Sequence, residues 1–243
     1  MLVSILSVVY NGENTIARTI ESVLNQTYDQ IEYIIIDGAS SDKTVNIAKS
    51  YIDDFNMKGI SFKIISEPDK GMYDALNKGA KIAKGELVGQ IDADDWYEPD
   101  AVEKMVRYYN DVKYDVAWGN IRIIKPTGNI IKRAKIGKIW TTSGWCHPAM
   151  FSRRKVLLDN PYAVENYADD FEFITRIKQK GYNIMTLNEL ISNFSFGGMS
   201  TQKSLKEVKK RIKTVYGIYR KYGMSRLYWF HRVLVETAKY VLG

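Results

Sequence analysis

One cysteine in 243 residues, Cys146, leaves no intramolecular disulfide and no cysteine-based metal cluster to be made, and it suits a reducing compartment. No run of 18 apolar residues occurs, so no helix is expected to span a bilayer. Neither Gly-x-Gly-x-x-Gly nor Gly-x-x-x-x-Gly-Lys-Ser/Thr is present, which argues against dinucleotide oxidoreductases and P-loop ATPases. Internal repeats and low-complexity linkers are missing as well. Residues 2–10 form a strand-like run that begins almost at once, without the regions of a signal peptide, and a cytoplasmic location is the expectation.

What is present is ordinary in bulk: 45% hydrophobic and 26% charged residues, enough to bury a sizeable core in one large domain. The charge, however, is unevenly placed. Residues 202–243 hold eleven Lys or Arg against two Glu, roughly +9, while the first 201 residues are near −2.

Strand and helix patterns alternate through the first half. Apolar runs at 2–10, 31–37, 62–66 and 87–91 read as strands, and helices are expected after Asn14 or Thr15, from Asp42 through Ile52, and over 71–83. Such alternation predicts a parallel sheet with right-handed crossovers. After Pro99 the rhythm changes: a helix over 100–109, a hairpin around Pro126-Thr127-Gly128-Asn129, a short strand at 149–152, a helix over 169–180, then strands at 183–187 and 191–196. From Gln202 the pattern is helical.

Ligands of open α/β sheets bind beyond the carboxyl ends of the strands. Three such ends are polar here: Tyr10-Asn11-Gly12, Asp37-Gly38-Ala39-Ser40-Ser41-Asp42, and Asp92-Ala93-Asp94-Asp95. Three carboxylates in four residues repel one another unless a cation offsets them, and oxygen-only ligands suit Mg²⁺ or Mn²⁺. The competing reading is a solvated acidic turn in which Asp95 or Asp100 caps a helix. For Asp169 and Asp170, the alternative to chemistry is N-terminal helix capping.

The stretches SVVYNGENTIARTIESVLNQTYDQIEYIIIDGASSDKT, SEPDKGMYDALNKGAKIAKGELVGQIDADD and GWCHPAMFSRR with YADDFEFITRIKQKGY resemble, in order and spacing, the family-2 glycosyltransferases of bacterial polysaccharide biosynthesis. The resemblance covers about residues 1–200. It implies a GT-A, Rossmann-like α/β fold: a mostly parallel central sheet flanked by helices, a small antiparallel acceptor-side part, and C-terminal helices. Residues 1–201 are expected to form the glycosyltransferase domain, 1–98 holding a nucleotide sugar and 99–201 the acceptor, with 202–243 a basic, aromatic tail. By the same resemblance Tyr10 lies against the nucleotide base and Asp37 hydrogen-bonds base or ribose, although many relatives carry a second Asp where Gly38 stands. Asp94 becomes the metal ligand for Mn²⁺ or Mg²⁺, Asp92 reaches ribose or metal-bound water, and Lys70 and Asp74 make donor-side contacts. Asp170 becomes the general base, with Asp169 in the place where Glu is usual.

The implied reaction moves a hexosyl or N-acetylhexosaminyl group from a nucleoside-diphosphate sugar to a hydroxyl of a glycan or lipid-linked acceptor. One base and no evident enzyme nucleophile point to inversion. His147 either touches diphosphate, metal or acceptor, or is a structural histidine. The loop Gly197-Gly198-Met199-Ser200-Thr201 either closes over phosphates or merely connects. For the tail, packing on the domain and binding an anionic membrane at the inner face stand level, and nucleic acid is not expected. The rivals are a nucleotidyltransferase, which wants a glycine-rich, lysine-bearing first loop, and a non-catalytic nucleotide-sugar-binding module, which leaves Asp170 without a purpose.

Overall fold

Strand β1 (Val3–Val9) is buried along its whole length, as a strand covered by helices on both faces must be. The computed structural model describes residues 1–137, 140–195 and 204–242. After β1 the chain runs through α1 (Ile16–Leu24), β2 (Ile31–Asp37), α2 (Thr44–Ser50), α3 (Ile52–Met57), β3 (Ser61–Ser66), α4 (Met72–Ile82) and β4 (Leu87–Gln90). There follow β5 (Trp96–Tyr97), α5 (Ala101–Val112), β6 (Val116–Ile124), β7 (Ile130–Lys132), β8 (Met150–Arg153), α6 (Arg154–Asp159), α7 (Asp169–Gln179) and β9 (Ile184–Ser195). Two helices, α8 (Leu205–Lys221) and α9 (Tyr228–Leu242), complete the order.

The sheet order is β3-β2-β1-β4-β8-β6-β9-β5, with β7 paired to β6. The first four strands are mutually parallel. Register sets Val9 beside Asp37 and Asp37 beside Ser66, so three strand ends finish level and gather their polar residues at one edge. Beyond β4 the sense changes: β8 is antiparallel to both β4 and β6, while β9 is parallel to β6. The expected parallel half and antiparallel part are both present.

Two local expectations need correction. The helix drawn from Asp42 through Ile52 breaks at Tyr51 into α2 and α3. The break seats Phe55 fully buried against Tyr33 and Phe62, with ring centroids 5.5 and 4.3 Å away. The strands expected at 183–187 and 191–196 are one strand, β9, as far as Ser195. Its register against β6 shifts between Trp118 and Ile121, where a Cβ on Gly119 would lie 2.2 Å from Ile191. A bulge, not a turn, interrupts the apolar pattern there. Strand β5 and helix α6 are too short to leave a periodic signal.

The tail packs on the domain. Fully buried Tyr219 meets Phe171 edge-on at 5.6 Å and lies 4.5 Å from Tyr228. Gln179 Nε2 donates to the Tyr222 carbonyl at 2.6 Å, and the Tyr222 hydroxyl donates to Glu172. Glu236, fully buried, is held by Arg211 at 2.6 Å and Arg232 at 2.5 Å, and Arg232 also donates to Thr142 at 3.1 Å. Two of the tail's cations are thus spent inside, and its outward basic face is smaller than its charge count suggests.

Candidate active site

Asp37 ends β2 fully buried. Its Oδ2 accepts from the Ser40 amide at 3.0 Å and the Ser66 hydroxyl at 2.6 Å, whereas Oδ1 is buried with no partner. An unpaired buried acceptor is costly, so this oxygen is suited to a donor supplied by a ligand. The ring of Tyr10 stands at the rim, 67% exposed, beside Asn11, whose φ of 51° bends the chain away from the sheet. A Cβ on Gly38 would lie 2.8 Å from Asp69 Oδ2. The space beside Gly38 is thus taken by the carboxylate of Asp69, arriving from the loop after β3. Sequence reasoning did not single it out; the signal was the pairing of Gly38 with the Glu67-Pro68-Asp69 turn.

Of the two residues that the resemblance gives to the donor side, Lys70 and Asp74, Lys70 is exposed. Asp74 accepts from the Lys70 amide at 3.1 Å and lies 3.7 Å from Lys78, which is bridged to Glu67 at 2.9 Å. Asp74 thus has a local role at the start of α4, and Lys78 is tied to the helix surface.

The acidic turn divides into one structural and two open carboxylates. Asp95 is fully buried; its Oδ1 accepts from the Ser195 amide at 2.8 Å and its carbonyl from Thr19 at 2.6 Å. Arg18 lies 3.7 Å from the Trp96 ring centroid and donates to the Asp94 carbonyl at 2.7 Å, bracing the turn through its backbone. Asp92 and Asp94 are half-buried and make no ion pair among the described residues. Burial pushes the Asp92 pKa up; His147 opposes this, and Asp94 and Asp170 add to it. Burial raises Asp94 too, against its own amide and Arg18, and raises Asp95 well above the carboxylate range, with Asp92 and Asp94 reinforcing.

Three acids open α7, and the structure separates them. Asp169 is fully buried and accepts from the Glu165 and Asn166 amides at 2.8 and 3.0 Å, fastening the preceding loop. For Glu172 burial alone would raise the pKa, but the Tyr222 hydroxyl, Arg176 and Lys221 hold it below the usual value. Asp170 does neither job and does not cap the helix. Its Oδ1 accepts from the Tyr73 hydroxyl at 3.1 Å and its Oδ2 from Trp145 Nε1 at 2.8 Å. Burial and then the charge of Asp170 keep Tyr73 protonated, hence a donor. Tyr73 and Trp145, like Asp69, are residues that sequence reasoning missed.

His147 Nδ1 lies 3.7 Å from Asp170 Oδ2, and both its ring nitrogens are buried without a hydrogen-bond partner. A satisfied structural histidine would have one. The edge thus brings together Asp92, Asp94, His147 and Asp170, with Asp37 and Tyr10 at the ends of neighbouring strands. The loop 197–201 lies outside the described residues. Among those described, no three His, Cys, Asp or Glu are grouped tightly enough to hold a metal alone. One or two carboxylates completed by phosphate oxygens is, however, the ordinary manner of Mg²⁺ and its like.

The fold is that of the GT-A glycosyltransferases. S. aureus TarS 1-349 in complex with UDP-GlcNAc superposes with a TM-score of 0.71 at 16% identity, covering 98% of this chain and 72% of that one. The mannosyltransferase PcManGT from Pyrobaculum calidifontis, in complex with GDP-Man and Mn²⁺, gives 0.68 at 17% identity, covering 99% and 70%. Residues 4–168 match Glycosyl transferase family 2, and the chain belongs to that family. It is 30% identical over 219 residues, 86% of its length, to the chondroitin synthase of Pasteurella multocida (strain Pm70). The chain spans 22% of that synthase and 30% of EpsH of Bacillus subtilis (strain 168).

Proposed function

We propose that the chain transfers one sugar, a hexose or N-acetylhexosamine, from a nucleoside-diphosphate sugar to a hydroxyl of a glycan or lipid-linked saccharide, with inversion, at the inner face of a membrane. The observation that carries this reading is Asp170: a carboxylate released from capping, aimed by Tyr73 and Trp145, beside the open pair Asp92 and Asp94. Membership of the family, and relatives of the same fold bound to nucleotide sugars and Mn²⁺, support it.

In this reading residues 1–98 bind the donor and 99–201 the acceptor. Tyr10 covers one face of the base, and Asp37 Oδ1 takes a base or ribose donor. Lys70 faces the donor from the loop before α4. Asp94 would hold Mn²⁺ or Mg²⁺ together with the diphosphate, Asp92 would serve the ribose or the ion from beside it, and His147 would offer a nitrogen to the phosphate or metal. The cation's contribution is to neutralise charge on the departing diphosphate. Asp170 accepts the proton of the acceptor hydroxyl as its oxygen bonds to the anomeric carbon, and the carbon–oxygen bond to the diphosphate breaks with its electron pair leaving on phosphate oxygen. With Asp170 as the base and the acceptor hydroxyl as the nucleophile, a single displacement is the consistent course.

A nucleotidyltransferase would need free amides in the first loop to hold phosphates. Here those of Asn11, Gly12 and Glu13 are already bonded to Ser40, Thr44 and Asp42, at 2.7, 2.8 and 3.1 Å. The test is a panel of UDP-, GDP-, CDP- and dTDP-sugars assayed by thermal shift and donor hydrolysis with Mn²⁺. One nucleotide series should stabilise the protein, by about 2.7 kcal/mol at a hundred times its Kd, and only with the cation. Stabilisation by none of them would overturn the reading.

Trp145→Phe keeps an aromatic ring, a smaller one, but removes the donor to Asp170. Loss of one hydrogen bond to a charged group is expected to lower kcat about tenfold or more with donor KM unchanged. In an Asp170→Asn background the same change should cost little further. An equal loss in both backgrounds would mean that Trp145 acts only on the fold.

A further inference from the structure

Helices α8 and α9 form an antiparallel hairpin, as the pairs Arg211 with Glu236, Tyr216 with Trp229 and Tyr219 with Tyr228 show. Its inner face is settled: Val208, Ile212, Val215, Ile218 and Tyr219 are buried, and Glu236 fastens α9 between two arginines. The outer face is unpartnered and has two parts. Along α8, Lys206, Lys209, Lys210 and Lys213 are exposed at i, i+3, i+4 and i+7, one side of a helix. None of these four lysines makes an ion pair among the described residues.

Along α9, Leu227 at its start, Phe230 and Leu234 follow at i, i+3 and i+7 and are 70%, 70% and 71% exposed. The only acid on α9 is the buried Glu236, so no carboxylate interrupts this row. Trp229, 42% exposed, joins the two parts: its ring meets Tyr216, one turn beyond Lys213, at 5.1 Å.

We propose that this outer face docks on an anionic lipid surface, with Leu227, Phe230 and Leu234 entering the acyl boundary, Trp229 at headgroup depth, and the α8 lysines on the headgroups. The purpose of such docking rests on the lipid-linked branch of the acceptor reading; its test does not. A charged, polar side joined to an apolar row is the pattern of helices that lie in a bilayer interface. Tryptophan is enriched at that depth because one edge of its ring is polar and the rest is not. A nucleic-acid partner would use the lysines but has no place for exposed leucines. No helix among the described residues is long and apolar enough to cross a membrane, and the proposed docking lies in the plane of the interface.

The experiment is sedimentation of the full chain with vesicles of phosphatidylglycerol and phosphatidylcholine, against pure phosphatidylcholine, over a salt series. Binding should require the anionic lipid, weaken as salt rises, and shift the tryptophan emission to shorter wavelength; Trp229→Phe should remove most of that shift. The triple variant Leu227→Gln, Phe230→Gln, Leu234→Gln, altered only at exposed positions, should lower partitioning about a hundredfold or more. The triple Lys206→Glu, Lys210→Glu, Lys213→Glu should abolish the anionic preference. Both variants should keep the parent's circular dichroism and donor hydrolysis. Failure to bind vesicles, or undiminished binding by the glutamine triple, overturns the proposal. So does a dimer, seen by light scattering and lost in that triple, which would give the face to a second copy. Absence of donor hydrolysis with vesicle binding intact would count against the catalytic reading alone.

Discussion

Asp170→Asn is expected to lower turnover by about 10²–10⁴-fold, the usual worth of a positioned general base, with donor affinity nearly unchanged. The variant isolates the proton transfer because Asp170 does not cap α7 and asparagine keeps its size, so the change is confined to the charge and to one of the two acceptor oxygens facing Tyr73 and Trp145. An asparagine conserves the shape but has one acceptor oxygen for the two donors Tyr73 and Trp145, so the melting temperature should fall modestly while the protein stays folded. The neighbouring acids do not stand in for it. Asp169 is fully buried with Oδ2 held by the Glu165 and Asn166 amides, and Glu172 is held by Tyr222, Lys221 and Arg176. Single-turnover rates with saturating donor make the measurement. A variant with near-normal turnover would transfer the role of base elsewhere.

Asp94→Ala should abolish Mn²⁺-dependent binding of the nucleoside diphosphate while the protein stays folded. The folded state crowds three carboxylates whose pKa values are all raised, chiefly by burial. The sign of the linkage follows. A folded pKa above the unfolded value means that the native state binds more protons, so these groups cost stability once the pH exceeds the ordinary carboxylate value of about 4. Without metal, their contribution should therefore fall as pH rises through the raised values. Mn²⁺ with diphosphate should restore stability on the neutral side and do little on the acid side, where the ligands are protonated. Asp94→Ala should remove the Mn²⁺ response and raise the metal-free stability at neutral pH. An undiminished response, measured by calorimetric titration of the diphosphate with and without Mn²⁺, would exclude Asp94 as a ligand.

The sheet edge was legible because its signals are local. Apolar runs of strand length, ending in Asn11, Asp37 and Asp92, lie within a few residues of the turns that expose them, and parallel pairing brings such ends to one side. The acidic turn was legible for a similar reason: like charges so close in sequence are close in space whatever the fold. The bulge in β9 was hidden because its cause, the approach of Ile191 to Gly119, lies across a strand pair.

By itself, then, the sequence determined the alternation of strand and helix, the polar strand ends, and the basic character of the tail, since periodicity and charge are properties of short segments. Only the tertiary structure decided which member of each acidic group is open. Tyr73 and Trp145 reach Asp170 across 97 and 25 residues, Arg18 reaches the Asp94 carbonyl across 76, and Asp69 fills the space that Gly38 leaves beside Asp37. The tail's fate was settled in the same way. Which lysines and leucines face outward depends on Tyr219, Tyr222 and Glu236 finding partners elsewhere, and the free energy of those contacts exists only when distant segments are packed together.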